Sequence, residues 1–195
     1  MRKASCIRNT NETQIELSLC LEGSGKADIK TECGFLKHML ILFAKHARVD
    51  LNLRCVGDSE VDFHHTVEDI GIVLGMAFQQ ALGEKRGIAR YGQWLLPMDE
   101  ALVLVSLDLS GRSCLGYKLQ LPHGKVGEFD LELVKEFLLG FVRNAGLTLH
   151  VQQLAGENTH HIVEAMFKGL GRAIKQAISI EEAYKDEIPS TKGML

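Results

Sequence analysis

The chain has 195 residues, 46% of them hydrophobic and 24% charged, which is apolar content enough for a packed core and no sign of a disordered or fibrous chain. Its formal net charge of -3 excludes a broad basic face for nucleic acid or an anionic membrane, so any phosphate must be held by a few placed cations. No run is apolar and long enough to span a bilayer or to follow Arg2 and Lys3 as a secretory signal. The five cysteines are dispersed without a C-x-x-C, so a reducing cytoplasm is the expected setting.

Taken in chain order, Ala4–Ile7 and Thr13–Leu21 are predicted strands around an Asn-rich turn, followed by a turn at Gly23-Ser24-Gly25. Phe35–Ala47 has apolar residues at helical spacing, and Val49–Cys55 alternates as a strand ending at Gly57-Asp58. The run from His64 to Leu82 is apolar on several sides, as a buried helix is. Ala101–Leu109 and Leu115–Leu121 are expected to be the two strands that open a second set, before a turn at Pro122-His123-Gly124. Leu131–Ala145 then reads as a helix, Leu147–Val151 as a strand, and the run from His160 as another buried helix. The fold class is α+β, with mixed sheet and helices.

The second set repeats the first. HHTVEDIGIVLGMAFQQAL, from His64, lies over HHIVEAMFKGLGRAIKQAI, from His160, with nine identities in 19 positions and no gap. Upstream, Lys37/Lys135, Leu40/Leu138, Phe43/Phe141, Ala47/Ala145 and Leu51/Leu149 also match. The expected organisation is one compact domain, 1–195, made of two half-repeats, about 1–95 and 96–195.

Each half carries His-His-x-x-Glu at the start of a helix. His64 and Glu68 are four apart and share one face, whereas His64 and His65 diverge by about 100° around the axis and cannot easily bind one ion. Two ions solve the problem by exchange. His64 and Glu68 would meet His161 at one, and His160 and Glu164 would meet His65 at the other. His38 and its counterpart Glu136 offer a fourth ligand each. Imidazole and carboxylate without thiolate favour Mn, Fe, Zn, Co or Ni over a structural zinc. A lone histidine is more often a hydrogen-bonded core residue; His150 is read as a structural residue on a strand, and His123 as an exposed residue of the Pro-His-Gly turn. Two copies of the motif in a duplicated segment point to metal.

Several blocks, in order, resemble those of imidazoleglycerol-phosphate dehydratases: RNTNETQIEL, GFLKHMLILFAKH, DFHHTVEDIGIVLG, PMDEALVLVSLDLSGR, AGLTLHV, GENTHHIVEAMFKGLGRAI and the terminal PSTKGML. The resemblance runs nearly end to end. It implies a duplicated unit like the second domain of ribosomal protein S5, and trimers that assemble with Mn2+ into a 24-subunit shell, with metal sites between subunits. It implies two divalent ions per site, held by His38, His64, His65, Glu68, Glu136, His160, His161 and Glu164. It also implies Glu12 as acid/base group, His46 lining the substrate site, and Arg90, Arg112, Ser190, Thr191 and Lys192 around the phosphate. The reaction implied is dehydration of imidazole glycerol phosphate to imidazole acetol phosphate in histidine biosynthesis. Its hard step is the removal of an unactivated C–H, for which two Lewis-acidic ions and a carboxylate are suited. The terminal Ser190–Lys192 segment would order when phosphate or metal binds. Two positions depart from the family: Lys37 stands where aspartate is usual, and Glu136 where histidine is frequent. Two rivals remain from the residues alone, a two-metal phosphomonoesterase and a non-catalytic scaffold stapled by metal.

Overall fold

The computed structural model describes residues 1–195. Two four-stranded mixed sheets each carry two long helices. The first sheet contains β1 (Lys3–Asn9), β2 (Thr13–Cys20), β3 (Ala27–Lys30) and β4 (Asp50–Gly57), ordered β1-β2-β4-β3. Its helices are α1 (Gly34–Ala47) and α2 (His64–Leu82). The second sheet contains β5 (Tyr91–Met98), β6 (Ala101–Asp108), β7 (Cys114–Lys118) and β10 (Thr148–Ala155), ordered β5-β6-β10-β7. Its helices are α3 (Leu133–Ala145) and α4 (Thr159–Ala177), and a short hairpin, β8 (Lys125–Val126) with β9 (Phe129–Asp130), precedes α3.

Strand alternation decides which face is covered. In β2, Thr13, Ile15, Leu17 and Leu19 are buried while Gln14, Glu16 and Ser18 are exposed, the period of two that a half-covered sheet requires. The helices cover the buried faces, and α1 packs on α4 while α2 packs on α3. The buried hydrophobic side chains form one continuous cluster through both sheets and all four helices. Phe78, Phe137, Phe141 and Phe167 are its largest members, with Phe78 against Phe141 and Phe137 against Phe167. Truncating any of them to alanine would cost about 3–5 kcal/mol.

Glycine lets the helices touch. A Cβ on Gly75 of α2 would stand 2.6 Å from the Phe141 carbonyl oxygen of α3. A Cβ on Gly171 of α4 would stand 2.7 Å from the Phe43 carbonyl oxygen of α1. Both distances are below van der Waals contact, so only glycine allows this approach without displacing backbone.

The expected helices and most strands are present with ends moved by a few residues. Three elements escape the sequence pattern. β3 has one buried side chain, Ile29, and is too short to show a period. β5 is an edge strand with Pro97 in it and mostly exposed residues, so its alternation is weak. The β8–β9 hairpin has two residues a side. Missing β5 also shifts the strand equivalence. The hairpin that opens the second sheet is β5–β6, and the Leu115–Leu121 segment is not its second strand. Only Cys114–Lys118 is strand, and it runs parallel to β10 as β3 runs parallel to β4. A boundary between residues 95 and 96 would cut β5, whose residues Tyr91–Met98 all pair with β6. No helix is long and apolar enough to cross a membrane.

Candidate active site

The two His-His pairs sit in the first turns of α2 and α4, and each pair is fixed by an acceptor two residues upstream. Asn158 caps α4 by accepting the His160 and His161 amides, and Asp62 accepts the His64 amide at 2.6 Å. An acceptor there satisfies orphan amides of the first turn and sets where the following side chains leave the helix.

One three-residue cluster able to hold a cation results. His38 of α1 and His160 and Glu164 of α4 offer ligand atoms all within 4.8 Å of one another. His160 Nε2 is 3.2 Å and His38 Nε2 3.5 Å from Glu164 Oε2, while Lys168 Nζ is 2.5 Å from Glu164 Oε1. Burial pushes the Glu164 carboxyl upward, but Lys168 and the two imidazoles outweigh it and hold the group below its ordinary value. Phe35 stands edge-on to the His160 ring at 5.4 Å and stacks on Phe129 of the β8–β9 hairpin, giving the cluster an apolar flank.

His64, Glu68 and Glu136 are not joined in this way. Gly140 of α3 abuts the Glu68 backbone, a Cβ there falling 2.8 Å from its carbonyl oxygen. Glu136, one turn earlier on α3, lies on the same side of that helix pair. No hydrogen bond or ion pair links its carboxylate to His64 or Glu68, and these residues form no cluster like the first.

His65 and His161 turn to carboxylates of their own half, away from the clusters of the other. His65 Nδ1 meets Asp58 Oδ2 at 2.9 Å, and its Nε2 lies 3.6 Å from Glu12 Oε1. His161 Nδ1 meets Glu100 Oε2 at 2.7 Å, and its Nε2 lies 3.7 Å from Asp99 Oδ2. The ligand exchange expected from helical spacing is therefore not made within one chain. Each carboxylate raises its histidine above the usual imidazole value, Asp58 for His65 and Glu100 for His161. A carboxylate on Nδ1 is also the contact that fixes the tautomer and aim of a metal-binding imidazole, presenting Nε2. Glu100 is held down at about 2 by His161 and by the Asn158 and Glu157 amides, though burial opposes this slightly.

Glu12 and Glu100 occupy matching places. Asn11-Glu12 is the two-residue turn between Thr10 and Thr13, and Asp99-Glu100 is the two-residue turn between the paired Met98 and Ala101. The family resemblance singles out Glu12; Asp58, Glu100 and Lys168 are not among the site residues expected from the sequence. Aligning the two hairpins would have found Glu100, but with β5 unrecognised the hairpins were out of step. Lys168 follows Glu164 by one turn and was legible as an i,i+4 pair. Asp58 gave no signal beyond its turn.

The anion-binding candidates gather elsewhere. Arg90, at φ 69°, grips Asp108 through Nε at 2.7 Å and Nη2 at 3.2 Å, which raises its pKa, and donates from Nη1 to the Pro189 carbonyl. Arg112 Nη2 lies 3.7 Å from the same Asp108 and is two-thirds exposed. The chain end is docked here. Gly87 donates to the Glu187 carbonyl at 2.8 Å, Ser190 Oγ accepts the Lys192 amide, and a Cβ on Gly111 would lie 3.1 Å from the Leu195 carbonyl carbon. Thr191 and Lys192 are exposed. His46, at the end of α1, packs against Gly171. Burial first, then Arg172, Lys168 and Arg48, lowers its pKa. Lys37 is exposed.

The family described as imidazoleglycerol-phosphate dehydratase matches residues 31–174. The chain is 54% identical over 195 residues to the imidazoleglycerol-phosphate dehydratase of Azorhizobium caulinodans, covering 100% of this chain and 99% of that protein. It is 54% identical over 194 residues to the Desulforamulus reducens protein of the same name, covering 100% and 98%. It is also similar to the crystal structure of the Staphylococcus aureus dehydratase, with a TM-score of 0.83 at 40% identity over 92% of this chain and 99% of that one. The Pyrococcus furiosus enzyme in complex with (S)-C348 gives a TM-score of 0.83 at 39% identity over 97% and 100%.

Proposed function

The chain belongs to the imidazoleglycerol-phosphate dehydratase family and is a hydro-lyase, and from that premise we propose how its residues dehydrate imidazole glycerol phosphate in histidine biosynthesis. The observation that carries the reading is the His38–His160–Glu164 cluster, whose ligand atoms converge within 4.8 Å. Two imidazoles and a buried carboxylate suit a divalent first-row ion, with Mn2+ first by family resemblance. His64, Glu68 and Glu136 hold a second ion. His65 and His161, aimed by Asp58 and Glu100, complete the shells on neighbouring copies, so that sites form between chains of a homo-oligomer built from trimers into a 24-mer. When bound, the two ions supply Lewis acidity and a template for the imidazole ring.

The chain's own groups do the rest. In the substrate, the hydroxyl on the carbon attached to the ring and a proton from the neighbouring carbon are lost, together making one molecule of water. The resulting enol becomes the ketone of imidazole acetol phosphate. Glu12 takes that proton on Oε1, a reading supported by its exposure and its 3.6 Å distance from His65. His46 lines the substrate site. Arg90 holds the segment that carries Ser190, Thr191 and Lys192 beside Arg112, and together they bind the phosphate. The matching sheet orders and the matching glycines support two half-repeats of a unit resembling the second domain of ribosomal protein S5. The free cysteines fit a cytoplasmic enzyme.

The test is product formation by metal-stripped protein before and after adding Mn2+. Turnover should be absent before and restored after. Turnover of imidazole glycerol phosphate that survives complete metal removal would overturn the two-ion reading.

A further inference from the structure

Beneath the Glu12 turn lies a polar trio in which Thr13 and Asp69 are buried and Arg8 is half-buried. Arg8 of β1 donates from Nη2 to Asp69 Oδ1 at 2.9 Å, and the Thr13 hydroxyl donates to Asp69 Oδ2. Thr13 Oγ1 is 3.3 Å from Thr10 Oγ1, which in turn accepts the Glu12 amide at 3.1 Å and the Thr13 amide at 2.9 Å. Asp69 lies one helical turn after His65 on α2. The trio therefore ties the turn that carries Glu12 to the helix that carries His65.

The second half has no such trio. Aligned through the two turns and the two His-His pairs, Arg8, Thr13 and Asp69 correspond to Leu96, Ala101 and Ala165, which are 8%, 1% and 0% exposed. The same architecture packs there with three apolar residues. A buried carboxylate and hydroxyl must recover the water they lose, and an apolar set in the same place is often as stable or more so.

The difference tracks the two turn glutamates. Glu100 is anchored through its own carboxylate, by His161 and by the Asn158 and Glu157 amides. The Glu12 carboxylate makes no such bonds, because in the first half Asp58 orients the histidine instead. A carboxylate that must exchange a proton with substrate cannot be tied up in this way, so its turn has to be held from the backbone side.

We infer that Asp69, acting with Arg8 through Thr13 and Thr10, is a positioning residue that fixes the Glu12 turn over α2. This rests on the reading of Glu12 as the proton carrier. A misplacement of about 1 Å can cost about 100-fold in rate.

The experiment uses the assembled Mn2+-loaded enzyme and imidazole glycerol phosphate. Thr13→Val should lower kcat about 100-fold, with KM and bound metal little changed, and Thr13→Ser should restore most of it. In a Glu12→Gln background, Thr13→Val should cost almost nothing further, because the group it positions is gone. The triple replacement Arg8→Leu, Thr13→Ala, Asp69→Ala copies the second half. It should melt no lower than the parent and show the same loss of kcat. If the triple does not fold, the Thr13 pair and the cycle with Glu12 carry the test. Unchanged kcat in Thr13→Val, or an equal loss with and without the Glu12 carboxylate, would overturn the inference. Full activity of Glu12→Gln would overturn the proton-carrier reading together with it. Loss in Glu12→Gln beside an unaffected Thr13→Val would sink the positioning role alone.

Discussion

The α1–α4 and α2–α3 helix pairs are built alike and finished differently. Each crosses at a glycine, Gly171 against Phe43 and Ala47 or Gly75 against Phe141 and Ala145. Near the start of α4, His38, His160 and Glu164 converge, with Lys168 on the outer carboxylate oxygen. At the matching place on the other pair, His38 is replaced by Glu136 and Lys168 by Ile72. Glu136 and Glu68 then stand on one helix pair without the lysine that pairs with Glu164 on the other. The backbone supplies a place for a ligand cluster, and the charges at three or four positions decide whether it closes without metal.

The strongest way to break this comparison is His160→Ala. Removing an imidazole from the closed cluster should abolish turnover, and metal analysis should show one ion fewer per site. Near-normal activity with full metal would dissolve the distinction between the pairs. Next come Asp58→Asn and Glu100→Gln, which remove the carboxylates that aim His65 and His161. Each should weaken metal binding about 10- to 100-fold, read from a competitive chelator titration. An effect in one and none in the other would mean that the two histidines are not equivalent ligands. Gly75→Ala and Gly171→Ala test the shared crossing. Each should destabilise by about 1–3 kcal/mol, measured as a lowered urea midpoint, and by similar amounts. The smallest effect is expected from Glu136→His, which makes the second pair resemble the first. The stability of metal-free protein should change by less than about 0.5 kcal/mol, as for a substitution away from the core. A larger loss of stability there would show that the Glu136 carboxylate has a partner in the metal-free protein.

Much of this was legible in the chain. Period-two and helical patterns found all four helices and the central strands, because those elements bury one face and expose the other. The repeat and its HHxxE motifs pointed to Glu164, His160 and their counterparts, since four residues make about one helical turn. What escaped had no periodic signal. β3 and β5 are edge strands, and losing β5 put the two turn glutamates out of register. Glu100 was therefore not recognised as the partner of Glu12, although both belong to the same kind of two-residue turn.

The sequence by itself determined the α+β class, the internal resemblance of the two halves, the family and the candidate ligand residues, because these depend on residue identity at short spacing. Only the tertiary structure decided which ligands meet. Helical geometry fixes that His64 and His65 diverge, but not whether a neighbouring carboxylate captures one of them first, as Asp58 does. It likewise showed that Asp69, one turn beyond His65 on a buried helix, faces Thr13 rather than a metal. Such choices depend on residues 7 to 56 positions apart being brought within about 3 Å, and packing of the sheets, helices and turns sets those distances.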